Sequence, residues 1–382
     1  MAIEKLDSEV YSYGNNRQFE ATKLWFPNGH VSEEPVTIPR VNPPVDHRYR
    51  RALHDIDHSW TVLEDEETGQ QFEMGLANTD ADFSGGVDLE ESTFSSSLSS
   101  NPGNAVEFAE NAASHPARPR LYVASPGNGK SSYWTPAEQR HIKSTGRFTD
   151  ETGKPLPTIA ALARILRQAD LPVTRISTNS AGGAYATALM SALPEGQLTH
   201  AYMKSRPNIS DHPARLLWGA AVVVGDILDD RRHARQSRDP WRLTEDRVKA
   251  AKENLPRLYG DDAENEARRM PEATKTHGLK KMHTDLLALS HGQTYGQVNP
   301  AAKDTGLALR RQPDALLTYH FPTGDRLYNN RTDIERFMEQ VRQLGGLAAR
   351  HNVQALIVPG THRDHTAYPT MRWSMEAYAF SR

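Results

Sequence analysis

Ser180 is the residue whose surroundings best fit nucleophilic chemistry, because it lies in a glycine-rich turn between a strand-like and a helix-like segment. The turn reads Thr178-Asn179-Ser180-Ala181-Gly182. A serine hydroxyl attacks a carbonyl only when a base accepts its proton, an acid orients that base and N–H donors bind the oxyanion. A sharp strand-to-helix turn flanked by small residues presents a serine in this way. Thr178 departs from the glycine that such a turn prefers, and a serine in a glycine-rich turn can also serve only as a helix N-cap.

The absence of cysteine narrows the chemistry further. The chain has 382 residues and no Cys, which excludes disulfides, thiolate nucleophiles, zinc fingers and iron–sulfur clusters. A covalent mechanism would therefore run through an oxygen nucleophile. The 45 basic and 48 acidic residues leave a net charge of −3, so we expect no nucleic-acid partner.

Hydropathy and the N-terminal sequence bear on where the protein acts. No apolar stretch approaches the roughly 20 residues of a membrane helix, so we expect no integral membrane segment. The charged N-terminus lacks the apolar stretch of a secretory signal. We therefore expect a protein that is cytoplasmic, or associated with a particle without a signal peptide.

Strand and helix patterns alternate from residue 120 onwards, and these elements must position Ser180. The predicted strands are 120–124, 173–178, 199–204, 315–321 and 353–358, and the predicted helices are 157–170, 182–193, 332–344 and 369–380. Such alternation predicts an α/β fold with a mostly parallel sheet and helices on both faces.

Two other regions have a different character. The first hundred residues contain short strand patterns at 19–26 and 59–63, with a proline-rich extended connection between them. Residues 84–104 are rich in Ser and Gly, which predicts a surface loop, and 104–113 could form a short helix. Residues 210–306 read as helical and highly charged, without a convincing strand, which predicts an insertion into the α/β core.

These features resemble the α/β-hydrolase family over about residues 118–382. The resemblance implies an α/β-hydrolase-like sheet with a helical cap insertion and an N-terminal β-rich extension. The corresponding parts are 1–117 (N-terminal extension with first strands and the Ser-rich loop), 118–209 (first part of the core), 210–306 (cap) and 307–382 (second part of the core).

The resemblance also implies an oxyanion hole. In the family, the strand before the nucleophile unit ends in a His-Gly-x-Gly-like turn, and this chain has Pro126-Gly127-Asn128-Gly129 there, with Pro in place of His. The matching donors are the backbone N–H groups of Asn128 and of Ala181, the residue after the nucleophile.

The family's chain order of Ser, then Asp or Glu, then His assigns the remaining roles. Asp325 follows the strand 315–321 and would orient the base. His362 follows the strand 353–358 and would act as general base, with His365 as the alternative base. Asp211, after the strand 199–204, is the alternative acid.

Two motifs compete with this interpretation. Residues 124–131, ASPGNGKS, resemble a phosphate loop with Lys130 as counter-charge, which would make the chain a P-loop nucleotide-binding protein. The missing first glycine, the early Pro136 and the unexplained Ser180 turn oppose that hypothesis. The sequence HDIDH at 54–58 contains metal-binding residue types, but without a recognised ligand spacing.

The sequence therefore predicts an esterase-like or lipase-like serine hydrolase. It would cleave a small-molecule or lipid-like carboxylic ester through the triad Ser180, Asp325 and His362 and an acyl-enzyme, without a metal or organic cofactor. Amide and thioester substrates remain open. The alternative hypothesis is a catalytically silent hydrolase fold in a larger assembly such as a phage tail. The N-terminal extension could mediate that assembly, or a homo-oligomer.

Overall fold

A computed structural model provides the structure of the chain. It describes residues 18–26, 31–41, 59–92, 108, 111–112, 115, 117–124, 134–145, 147–179, 182–205, 299–323, 331–346, 352–359 and 369–382. The predicted cap falls largely on 206–298, outside the described residues, and so stays a prediction.

Ten strands form one sheet. They are β1 (Gln18–Trp25), β2 (Ser32–Pro39), β3 (Ser59–Glu64), β4 (Gln71–Ala77), β5 (Val87–Ser92), β6 (Arg120–Ala124), β7 (Val173–Asn179), β8 (His200–Lys204), β9 (Leu316–Pro322) and β10 (Val353–Val358). Their order across the sheet is β2-β1-β10-β9-β8-β7-β5-β6-β4-β3. The six strands from β10 to β6 are parallel, and an antiparallel pair flanks them on each side.

Helices cover both faces of this sheet. The described helices are α1 (Pro136–Thr145), α2 (Pro157–Gln168), α3 (Gly182–Ala192), α4 (Pro300–Arg311), α5 (Arg331–Gly345) and α6 (Pro369–Phe380). The first five pack on one face, where they and alternate strand residues bury one large apolar cluster. Helix α6 lies on the opposite face. A large, mostly parallel sheet covered on both faces by helices confirms the predicted α/β fold class.

The apolar cluster explains why these segments form these elements. Helix α2 buries Ile159, Leu162 and Leu166, which recur at helical spacing. They belong to the same buried apolar cluster as strand residues such as Leu89 and Ile176. Strand β10 is buried along its whole length, because both of its faces are covered, and its sequence VQALIV is almost continuously apolar as expected for such a strand.

Strand β5 corrects the prediction of a surface loop over 84–104. Residues Val87–Ser92 form a parallel strand between β6 and β7, near the middle of the sheet. The acidic side chains of Asp88 and Glu90 gave this segment a solvent-exposed pattern, although both are buried. The sheet therefore extends well into the region before residue 118.

Strand β2 corrects the prediction of an extended connection. Pro35 and Pro39 lie within Ser32–Pro39, which pairs with β1 at one edge of the sheet. Proline has no N–H to donate, so an edge strand accommodates it where a central strand would not.

Helix α4 is the first described element after residues 206–298, and it packs in the core. It spans Pro300–Arg311, so it crosses residue 306, the predicted end of the cap. A Cβ on Gly306 would stand 2.6 Å from Cβ of Leu344, so the absence of a side chain there allows α4 to lie close against α5. The N-cap Asn299 accepts a hydrogen bond from the N–H of Ala301, which fixes the start of this helix.

Candidate active site

The carboxyl ends of the parallel strands form one edge of the sheet, and open α/β sheets place their ligand sites at such an edge. Every residue predicted for the site follows one of these strand ends in the sequence. The predicted residues themselves lie outside the described residues: Asn128, Ser180, Ala181, Asp211, Asp325, His362 and His365. The structure therefore describes the elements that lead into the site, and the assignment of the individual side chains stays a prediction.

Only two residues, Ser180 and Ala181, separate strand β7 from helix α3 in the chain. Strand β7 ends at Asn179 and helix α3 begins at Gly182. So short a connection between a central parallel strand and a helix is the setting in which a nucleophilic serine is presented above a sheet. Helix α3 begins directly after these two residues, and the positive end of a helix dipole favours negative charge there.

Thr178 fits the position where the family prefers glycine. Its side chain is fully buried, and its Oγ1 lies 3.5 Å from the carbonyl oxygen of Tyr202 on the neighbouring strand β8. The β-branched residue is therefore accommodated within the sheet, and the departure from glycine does not prevent β7 from forming up to Asn179.

The strands that lead to the predicted triad lie side by side. Strand β8 separates β7 from β9, and β10 lies beyond β9. With neighbouring strands about 4.8 Å apart, the end of β9 is about 10 Å from the end of β7, and the end of β10 about 14 Å. The residues after β9 and β10 must therefore extend back along the edge to bring Asp325 and His362 to Ser180.

The sheet order bears on the oxyanion donors. Strand β6, which precedes Asn128, is separated from β7 by β5. A donor after β6 must span about 10 Å, whereas the chain that leaves β5 at Ser92 starts one strand from β7. The strand order therefore adds the residues following Ser92 as candidates for an oxyanion donor, which no sequence motif indicates.

A buried cluster of charged residues lies below this edge, on the face covered by α6. We call it the polar-face network, and its members come from β5, β6, β7, α6 and the segment before β6: Glu90, Asn111, Arg120, Ser177, Arg372 and Glu376. Arg120 donates from Nε to Glu90 over 3.0 Å and from Nη2 to Glu376 over 2.6 Å. The side chains of these three residues are at most 3% exposed.

Two further contacts tie the strands to helix α6. The Ser177 hydroxyl donates to Oε2 of Glu376 over 2.5 Å, and Nη2 of Arg372 lies 3.1 Å from Oε1 of Glu90. Asn111 donates its amide to Glu90 over 2.9 Å. Two carboxylates and two guanidinium groups thus balance in charge, as buried ions require.

The network shifts the titration of its own members. Burial by itself raises the pKa of Glu376, but Arg120, His115, Arg372 and the hydrogen bond from Ser177 outweigh it and lower this pKa from 4.5 to about 2. Burial likewise opposes the charge of Arg120, while Glu376 and Glu90 hold the pKa of its guanidinium above the ordinary value. The charges of Glu376 and Arg120 therefore persist at neutral pH.

Polar residues also line the carboxyl ends of β8 and β9. Lys204 is buried and pairs in register with Asn179, the residue before Ser180, and with His320. The hydroxyl of Tyr202 lies 2.6 Å from Nδ1 of His320, and burial raises the pKa of this tyrosine well above its ordinary value. Tyr202 is therefore neutral and able to donate to the imidazole.

The polar-face network was not predicted from the sequence. Its strand members alternate with apolar residues, a pattern that equally fits a strand with one solvent-exposed face. A signal existed on α6, where Arg372 and Glu376 stand at i and i+4 in an otherwise uncharged helix. Which strands that helix covers cannot be read from the spacing.

The competing motifs receive no support from the described residues. Trp134 and Thr135 are not helical, and α1 begins at Pro136 with its first turn held by the Thr135–Glu138 hydrogen bonds. In a phosphate loop the helix would begin at Lys130, six residues earlier. Within the described ranges, no three His, Asp or Glu side chains come together to hold a metal ion, and residues 54–58 lie outside them. No helix in the described part of the chain is long and apolar enough to span a membrane.

The described part of the chain therefore has a mostly parallel sheet, helices on both faces and only two residues between β7 and α3. The sequence matches no protein-family model and no curated protein. Among solved structures, an esterase from Pyrococcus furiosus is similar over 90% of this chain and 98% of its own, with 11% identity and a TM-score of 0.47.

Two more solved structures have comparable similarity. An esterase from a Rhodococcus species is 13% identical over 84% of this chain and 98% of its own, with a TM-score of 0.43. A homoserine O-acetyltransferase from Staphylococcus aureus is 13% identical over 86% of this chain and 95% of its own, with a TM-score of 0.42.

Proposed function

We propose that the protein is a serine hydrolase that cleaves a carboxylic ester. The observation that carries the proposal is the turn of two residues between β7 and α3, at the carboxyl edge of the parallel sheet. The strands before Asp325 and His362 end at the same edge, in the chain order of a Ser-Asp-His triad.

The proposed reaction proceeds in two halves. The Ser180 hydroxyl oxygen attacks the ester carbonyl carbon while the imidazole of His362 accepts its proton. The tetrahedral intermediate then collapses, the C–O bond to the alcohol breaks, and His362 returns the proton to the leaving alkoxide. Water attacks the acyl-enzyme by the same route, which releases the acid and restores Ser180. Asp325 holds the imidazole in the orientation that both halves need.

The oxyanion is proposed to bind two kinds of donor. The first is the N–H of Ala181, which directly precedes helix α3 in the chain, so that the positive end of this helix would add to its effect. The second donor is Asn128 in the sequence-based assignment. The sheet order favours testing the residues after Ser92 beside it, because β5 is the strand next to β7.

The proposed substrate is a small-molecule ester, since the mechanism needs only an accessible acyl group with an alcohol leaving group. Amides and thioesters pass through the same tetrahedral intermediate, and substrate profiling with matched acyl groups would separate the three classes. Esters with long, lipid-like acyl chains should be included in the same substrate profiling.

Hydrolysis of p-nitrophenyl butyrate by the triad variants tests the proposal. We expect Ser180→Ala and His362→Ala each to lower kcat at least about a thousandfold, since triad members act as a unit. His365→Ala is the matched control and should keep at least half of the activity. Loss of turnover in His365→Ala, with His362→Ala active, would move the base to His365. The corresponding pair Asp325→Asn and Asp211→Asn decides between the two acids.

A further inference from the structure

The polar-face network is costly to bury, which calls for an explanation. Four full charges lie in it, and the side chains of Glu90, Arg120 and Glu376 are at most 3% exposed. Taking ions out of water carries a large desolvation cost, and well-packed apolar residues of similar volume often stabilise a fold equally well. A contribution to stability is therefore a weak reason for such a cluster, whereas fixed geometry is a stronger one.

We propose that the polar-face network is a positioning device that holds the nucleophile strand β7 and the C-terminal helix α6 in one fixed relation. The inference rests on the proposed function, because it concerns the geometry between Ser180 and residues 359–368. These residues contain His362 and His365, and we call them the base loop. Ser177, Arg372 and Glu376 are the positioning residues of the network, and none of them is proposed to touch the substrate.

On the strand side, the contact is made close to the nucleophile. Ser177 precedes Ser180 by three residues and lies on the same strand, β7. Its hydroxyl donates to Glu376 over 2.5 Å, and the same carboxylate accepts from Arg120 of β6. Hydrogen bonds to a charged group are shorter and stronger than neutral ones, so this contact fixes the last part of β7 laterally.

On the helix side, the contact is made close to the predicted base. Helix α6 begins at Pro369, and β10 ends at Val358, so His362 and His365 both lie between the two elements in the sequence. Arg372 and Glu376 stand in the first two turns of α6, where they bind Glu90 of β5 and Ser177 of β7. Strand β10, the element before the base loop, is therefore held in the sheet, and helix α6, the element after it, is held by the network.

The chain contains a matched control on the opposite face. Thr149 donates its hydroxyl to Oδ2 of Asp304 over 2.7 Å, and Arg147 binds the same carboxylate over 2.6 Å. Thr149 and Asp304 are buried, as Ser177 and Glu376 are. The chemistry is the same, a hydroxyl and an arginine on one carboxylate, but it joins α4 to the segment before α2 and not the nucleophile strand to the base loop.

The test compares Ser177→Ala with Thr149→Val in the full chain. Steady-state kinetics with p-nitrophenyl butyrate gives kcat and KM, and amide hydrogen exchange followed by mass spectrometry reports on 173–179 and 369–380. We expect Ser177→Ala to lower kcat about tenfold or more with KM within twofold, and to raise exchange in both segments together. Thr149→Val should leave kcat and the exchange of both segments unchanged.

Two results would overturn the proposal. One is a Ser177→Ala protein with the kcat and the exchange of the unmodified protein. The other is an equal loss of kcat in Thr149→Val, which would show a general effect of lost buried hydrogen bonds. If the unmodified protein has no turnover, the proposed function fails. The exchange data then still decide whether the network links β7 to α6, since unchanged exchange in Ser177→Ala rejects the link.

Discussion

The two faces of the sheet are closed in opposite ways. On one face, five helices and alternate strand residues bury a continuous apolar cluster, to which Leu162 and Ile176 belong. On the other face, helix α6 meets the strands partly through apolar residues such as Leu356 and partly through the polar-face network. Close packing of apolar side chains stabilises the first face, whereas buried ion pairs stabilise the centre of the second. Substitutions on the two faces should therefore fail for different reasons.

The largest loss of free energy of unfolding is expected when one charge of the polar-face network is removed. Glu376→Gln removes one carboxylate from the network and leaves Arg120 and Arg372 with Glu90 as their carboxylate within it. Breaking a buried ion pair from one side costs about 3–5 kcal/mol, because the remaining charge stays buried. Urea denaturation measures the change in the free energy of unfolding.

The matched control for this substitution is Glu339→Gln. Glu339 pairs with Arg342 on helix α5, where its side chain is 33% exposed. A surface pair of this kind contributes about 0–1 kcal/mol. A loss below about 1 kcal/mol in Glu376→Gln, equal to that of the control, would mean that the polar face is not held by its charges.

The apolar face should respond to lost volume. Leu162→Ala on α2 removes methyl groups from a fully buried side chain, for an expected loss of about 2–5 kcal/mol in the free energy of unfolding. Gln168→Ala on the exposed side of the same helix should change it by less than about 0.5 kcal/mol. Equal losses in the two variants would contradict an apolar cluster closed around Leu162.

A smaller, pH-dependent effect is expected at the rim of the polar face. Burial, together with Arg175 and Arg118, lowers the pKa of His200 from 6.5 to about 4. As the pH falls, His200 is therefore protonated at a higher pH in the unfolded chain than in the folded one. Stability that is present above pH 6.5 is lost as the pH falls toward 4.

The His200→Gln variant isolates this contribution. It should flatten the stability profile between pH 6.5 and 4 by about 1–2 kcal/mol, since the ring is only half-buried. Leu162→Ala should leave the slope of that profile unchanged while shifting it downward. Thermal melts without denaturant across this pH range compare the variants. A dependence of stability on pH in His200→Gln equal to that of the unmodified protein would reject the assignment to His200.

Most of the fold could be predicted from the sequence, because periodicity and turn residues encode single elements locally. The apolar runs at β6, β9 and β10 and the one-sided pattern of α2 were sufficient for those elements. Strand β5 was missed because Ser, Gly and charged residues give its segment the composition of a surface loop. Asp88 and Glu90 are buried against arginines from elsewhere in the chain. Asp88 pairs with Arg118. Glu90 pairs with Arg120 and Arg372. Sequence patterns do not report which side chain from elsewhere in the chain will neutralise a charge.

The candidate site could be predicted only as far as strand order allows. The sequence places Ser180, Asp325 and His362 after strands, and the sheet order brings the ends of those strands to one edge. Which strand neighbours β7 was not readable, because β5 and β6 are adjacent in chain order but exchanged in space. Because of that exchange, the second oxyanion donor has two candidates: Asn128 after β6, and the residues after Ser92 of β5.

The reactivity of Ser180 is the central claim, and labelling by a fluorophosphonate probe with intact-mass detection tests it most directly. We predict a single adduct on the folded protein, formed more slowly in His362→Ala and absent in Ser180→Ala. A folded, cooperatively melting protein that forms no adduct would contradict the account and favour a catalytically silent fold. An adduct that persists in Ser180→Ala would place the nucleophile at another residue.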